Sequence, residues 1–205
     1  MSFLTILPLA FVMVAGPQIL SAIFLATSQN WRRNSAAFVF GAALSISMMV
    51  VVAYFVADGA RSQGTSNDTL SIVVLVLLLA AMVNTYRTRE ESEPPKWMGK
   101  LEQASPRFSF RLGFLLLGFF PTDILTSVAV GSSLSAEGSP VTDSWGFVLV
   151  TLLFLALPSL TLLAFGARAE AFLPKARNWM NENSWVVNEV VLLFFVAITL
   201  NGLTG

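Results

Sequence analysis

The sequence predicts an all-α integral membrane protein of six transmembrane helices, arranged as two inverted three-helix repeats with broken first and fourth helices. Three observations predict it. Hydrophobic residues make up 55% of the 205 residues and charged residues only 12%, with a mean hydropathy of +0.72; a soluble domain carries roughly twice that charge. Apolar stretches of membrane-spanning length recur along the chain. And two of those stretches, "ILSAIFLATS" at Ile19–Ser28 and "ILTSVAVGSS" at Ile124–Ser133, match at an offset of 105 residues.

Taken in order, the apolar segments run Phe3–Thr27, Ser35–Val56, Leu70–Thr85, Leu112–Ser132, Trp145–Phe165 and Trp185–Leu203. A spanning helix needs ~20 residues to cover about 30 Å. All but the third meet that length. The first starts in "MSFLTILPLAFVMVAGPQ", which lacks the basic region of a signal peptide and reads as a retained helix. "SQNWRRN" joins the first two segments, and "ADGARSQGTSND" joins the next two. A long linker, "YRTREESEPPKWMGKLEQASPRFSFR", separates the halves, which divide as 1–104 and 105–205. Pro158, Ser159 and Thr161 are expected to interrupt the fifth helix.

Loop charge sets the orientation. With six spans, eleven of the twelve Lys and Arg residues lie on one side and only Arg61 on the other. That places both termini on the extracytoplasmic face of the plasma membrane. Without the short third span the split is ten to two with the N-terminus inside, so charge alone leaves the helix number open. The repeat favours six: an odd number of spans in each half makes the halves inverted, an arrangement with its binding site near the midplane. Pro17 in "AGPQ" and Pro121 in "FFPTD" break the first and fourth helices, one position out of the common register.

The composition also excludes classes of function. A net charge of zero leaves no basic face for nucleic acid. Cysteine and histidine are both absent, which removes thiolate chemistry, histidine triads and the commonest metal ligands. We expect no enzyme, no metal and no cofactor.

Asp123 is the sharpest single feature. It lies twelve residues after Arg111 and nine before Ser132, so a continuous helix puts it near the bilayer centre. A charge there costs roughly 2.5–3.5 kcal/mol on insertion scales. No basic residue lies within a proposed span to pair with it. Asp123 therefore carries a proton, faces a hydrated cavity, or receives a cation. Thr122, Thr126 and Ser127 are its hydroxyl neighbours, and Pro121 loosens the backbone beside it. Gln18 follows Pro17 in the first helix, with Ser21 on its face. These six polar residues read as a substrate- or cation-binding site, or as polar glue in which Gln18 and Asp123 hydrogen-bond to each other and to hydroxyls, a reading that suits Gln18 in particular. Ala37, Gly41 and Ser45 form a small-residue stripe suited to close helix packing.

Two loop segments look amphipathic. "PKWMGKLEQ" carries Lys96, Trp97 and Lys100, and "AFLPKARNWMNEN" carries Phe172 and Trp179 at helical spacing. Both lie on the basic side, where they can meet membrane lipid headgroups or pack on the bundle. Trp31, Trp97, Trp145, Trp179 and Trp185 all flank spans and read as interface anchors.

The linker "PPKWMGKLEQASPRFSFRLGFLL", the proline break after it and the last segment "NWMNENSWVVNEVVLLFFVAITLNGLTG" together resemble the peptidoglycolipid-addressing, or sulfolipid-addressing, protein family. That family is similar to the lysine-exporter superfamily of six-helix transporters. The resemblance covers the whole chain, most specifically Pro95–Leu116 and Trp179–Gly202. It implies a plasma-membrane transporter or export factor for a lipid-like amphiphile or small solute, working alone, as a homo-oligomer or with envelope-export partners. A non-transporting scaffold for such a machine is the alternative, and a membrane enzyme a more distant one. At the fourth-helix break the family usually reads Asn-Pro-Lys. Here Phe120-Pro121-Thr122 is followed by Asp123, which shifts the expectation from an anionic substrate toward a cationic or cation-coupled one.

Overall fold

The computed structural model describes residues 3–62, 101 and 103–183, with Val186, Glu189, Leu193 and Val196 beyond them. The third apolar segment, Lys96, Trp97 and Lys100, and most of the sixth segment with Trp185 lie outside the described residues. Every element among the described residues is helical: α1 (Phe3–Val14), α2 (Pro17–Ala26), α3 (Trp31–Ser62), α4 (Pro106–Phe119), α5 (Pro121–Ala136), a 3-10 turn (Val141–Ser144), α6 (Trp145–Phe165) and α7 (Ala167–Glu182). The helices α3 and α6 are long and apolar enough to cross a membrane, and α4 with α5 make a third span if counted as one bent helix.

Both expected breaks are present. Helix α1 stops at Val14, and α2 restarts with Pro17 in its first turn. Gly16, between them, takes φ 103°, a conformation that only glycine adopts without strain. Helix α4 stops at Phe119, Phe120 is extended at φ −74° and ψ 135°, and Pro121 opens α5. The two halves meet at a bend of 64°. In each case proline fits the first turn of the new helix because its missing N–H would be unpaired there anyway.

Two helix starts and one expected interruption differ from the sequence expectation. Helix α3 starts at Trp31 rather than Ser35, taking Arg32 and Arg33 into its first turn. Nothing between Trp31 and Gly41 breaks a helix, and the Arg32 guanidinium lies 5.2 Å from the Trp31 ring, within cation–π range. Helix α4 starts at Pro106 rather than Leu112. Ser105 caps it by accepting the Phe108 N–H at 3.3 Å, and Pro106 fills the first position. Helix α6 has the expected ends but is not interrupted at Pro158. The hydroxyls of Ser159 and Thr161 donate to the carbonyls of Ala156 and Pro158, both at 2.8 Å, so they turn back onto the helix. A proline inside a membrane helix is tolerated where local adjustments take up the freed groups.

Helix α3 is the hub. It packs along α4 and α5, while α1 and α2 pack against α6. The core-facing stripe of α3 is Phe38, Ala42, Ile46 and Val50, all fully buried and spaced one turn apart. Its opposite side exposes Phe40, Leu44, Val52 and Phe55, as a lipid-facing surface would. The α3–α4 crossing is made by glycines: a methyl group on Gly41 would strike the Phe110 carbonyl oxygen, and one on Gly113 would strike that of Phe38. At Gly131 a methyl group would sit 2.7 Å from the Tyr54 nitrogen and the Val50 carbonyl oxygen, so α5 also approaches α3 closely, though less so than α4.

The loop before α3 is fastened from below. Asn34 is fully buried, and its side-chain amide donates to Ser28 Oγ and to the Ala104 carbonyl, both at 2.9 Å. Asn34→Ala leaves that carbonyl short of its donor. We expect a loss of about 1–3 kcal/mol, measured as a lower unfolding midpoint in detergent.

Candidate functional site

The two breaks place their polar residues against each other. Gln18 is the second residue of α2, and Asp123 is the third of α5. Both side chains are fully buried, and Gln18 Nε2 donates to Asp123 Oδ2 at 2.7 Å. The two residues are 105 positions apart, the same offset that relates "ILSAIFLATS" to "ILTSVAVGSS". The correspondence continues one turn on. Ser21 Oγ donates to the Pro17 carbonyl at 2.6 Å, and Thr126 Oγ1 donates to the Thr122 carbonyl at 2.7 Å. Both donor and acceptor shift by 105 between the two bonds. Equal sequence position has become equal local geometry.

Of the sequence-predicted site residues, Gln18 and Asp123 are in direct contact. Ser21 and Thr126 are fully buried, but their hydroxyl protons are committed to their own helices. Thr122 is half-buried. Ser127 is fully buried one turn beyond Asp123, and its Oγ has no hydrogen-bond partner. Gln18 Oε1 and Asp123 Oδ1 are likewise buried without a partner. Helices α1, α2, α5 and α6 carry no charged residue except Asp123. The site is thus a buried group of oxygen atoms without protein partners around one carboxyl group. Such a cluster is costly unless something positive enters it.

Ser45 joins the neighbourhood, although the sequence places it only in a packing stripe. It is fully buried, its Oγ has no partner, and that oxygen presses against Gly118 just before the α4–α5 break. The sequence signal for this was the small residue facing it, which let the two helices close.

Two further features lie away from the pair. A groove of 570 Å³ between α3 and α6 is lined by Trp31, Arg32, Ser35, Phe40, Leu152 and Leu163 among others, and it does not reach Asp123. Helix α7 is fixed through buried Ala169 and Leu173, which pack with Ile23, Ala26 and Leu162. It leaves Phe172 and Trp179 exposed on another side.

A family model described as Sap, sulfolipid-1-addressing protein, matches residues 6–204. No curated protein and no solved structure matches the chain.

Proposed function

Because the chain belongs to the sulfolipid-1-addressing protein family, we propose that it is an export-associated membrane transporter rather than an enzyme. In this reading it moves a lipid-like amphiphile or small solute across the plasma membrane, coupled to a proton or another cation at Asp123. Membrane lipids are its surroundings and, in the amphiphile case, its substrate source. The observation that carries the reading is the buried Gln18–Asp123 hydrogen bond joining two helix breaks. Interrupted helices meeting at related positions of two repeats are how secondary transporters build a central site. The reading takes the repeats as inverted three-helix units, six spans in all, with both termini outside. Supporting this, α1 and α2 pack on α6 while α4 and α5 pack on α3. The first unit of each half thus meets the second unit of the other, as a two-fold relation requires.

The test is reconstitution into vesicles with a fluorescent or dithionite-quenchable lipid and an imposed cation gradient. The purified protein should move lipid, and Asp123→Asn should abolish the dependence on the gradient while the protein still folds. Unchanged rate and gradient dependence in Asp123→Asn would remove Asp123 from the coupling role. One observation favours a second reading, a scaffold for a larger export machine: the exposed Phe172 and Trp179 of α7. On that reading the purified protein moves nothing, and Trp179→Ala abolishes export only in cells.

A further inference from the structure

We propose that the unpaired oxygens between the two helix breaks hold one dehydrated monovalent metal cation of sodium size, with Asp123 Oδ1, Gln18 Oε1 and Ser127 Oγ as ligands. This rests on the transporter reading above and names the coupling ion.

The three oxygens belong together. Gln18 and Asp123 are tied by a 2.7 Å hydrogen bond that uses only one polar atom of each. The remaining polar atom of each, Gln18 Oε1 and Asp123 Oδ1, is buried and has no partner. Ser127 lies one turn after Asp123, on the same face of α5. On α2, α5 and α6 the buried hydroxyls of Ser21, Thr126 and Thr151 turn back to a carbonyl of their own helix. Ser127 does not, and its buried oxygen is left with no partner of any kind. Helices α1, α2 and α6 carry no basic side chain to neutralise Asp123.

The breaks supply more of the same chemistry. Pro17 has no N–H for the Met13 carbonyl, and Pro121 has none for that of Leu117. The carbonyl ends of α1 and α4 therefore run out beside the site, the arrangement by which broken helices bind small cations. The charge count selects the ion. One carboxylate balances one positive charge, whereas a divalent cation is bound through more acidic ligands. No group of three or more acidic, histidine or cysteine side chains exists among the described residues. Complete burial of Gln18, Asp123 and Ser127 requires the ion to shed its water, and ligands on two helix ends already joined by a 2.7 Å hydrogen bond suit a small ion, sodium rather than potassium.

Equilibrium binding of radioactive sodium to the purified protein in detergent, with choline as the background cation, tests this. Saturable binding of about one ion per chain is expected, with Asp123→Asn losing it and Ser127→Ala weakening it about tenfold. Ser132→Ala is the control, since that hydroxyl bonds to the Val128 carbonyl, and it should bind as the unmodified chain does. Absence of displaceable sodium, equal displacement by potassium, or unchanged affinity in Ser127→Ala would overturn the site. The two proposals fail separately. Transport driven by a pH gradient without sodium binding removes the site and keeps the transporter. Sodium binding without transport keeps the site and removes the transporter.

Discussion

Gln18→Leu should destabilise the protein by about 2–4 kcal/mol, more than Asp123→Asn. The reason is what each change leaves behind. Leucine at position 18 removes the donor that Asp123 Oδ2 receives at 2.7 Å, while the carboxyl group stays fully buried. A hydrogen bond to a charged group contributes about 1.5–3 kcal/mol, and a buried acceptor stranded without a donor adds its own desolvation cost. Asparagine at position 123 keeps an acceptor for the Gln18 amide and removes the charge, so its stability cost should be small. Removing both partners, as Gln18→Leu with Asp123→Leu, replaces two polar groups by apolar ones in an apolar setting. That double variant should be less destabilised than the sum of its single changes by roughly 1–3 kcal/mol. Denaturant unfolding of the four proteins in one detergent measures the cycle. Additivity to within about 0.5 kcal/mol would mean that the two side chains do not act as a pair.

The same pair marks how far the sequence alone carries. The breaks were legible because proline cannot continue a helix, and Pro17 and Pro121 each open a helix where expected. The ends of α6 were legible because Trp145 begins an uncharged stretch that ends at Gly166. The starts of α3 and α4 were not, since a charge count assigns Arg32, Arg33, Arg107 and Arg111 to loops. Physically, an arginine in the first turn of a membrane helix reaches the interface on its own stem, so the helix begins before the apolar run does. Pro158 misled for the opposite reason: its helix is held by packing on both sides of the proline. At the site, the offset of 105 residues already laid Gln18 over Asp123. The prolines, one position out of that register, hid the correspondence. That Gln18 and Asp123 bond to each other is one of the sequence readings, and the folded chain shows that bond at 2.7 Å. Ser45 was read as packing, and its unpaired oxygen is a property of the helix crossing, invisible in a linear stripe of small residues.

That crossing gives the other large effect. Gly41→Leu and Gly113→Leu should each cost more than about 3 kcal/mol, at or beyond the upper end for overpacking. The obstacle decides the size. At Gly41 and Gly113 the first added carbon meets a backbone carbonyl, of Phe110 and Phe38 respectively, and a backbone in a helix cannot turn aside. At Gly118 the obstacle is the Ser45 hydroxyl, which can rotate, so Gly118→Ala should cost clearly less than Gly41→Ala. At Gly59, also within α3, an added carbon meets nothing within 4 Å. There Gly59→Ala should stabilise the helix by up to ~1 kcal/mol through propensity alone. This order, measured as unfolding midpoints in detergent, separates close helix approach from a general intolerance of larger side chains. Gly41 and Gly113 also report on one another. Each presses on the helix that carries the other, so the first leucine already forces the helices apart, and the second should cost less in its presence than alone. A fully additive pair would mean that the two glycines do not share one crossing. Because α4 ends at the break that positions Asp123, a displaced α3–α4 crossing should also weaken the Gln18–Asp123 contact. Partly folded glycine variants should then lose cation binding before they lose their helices.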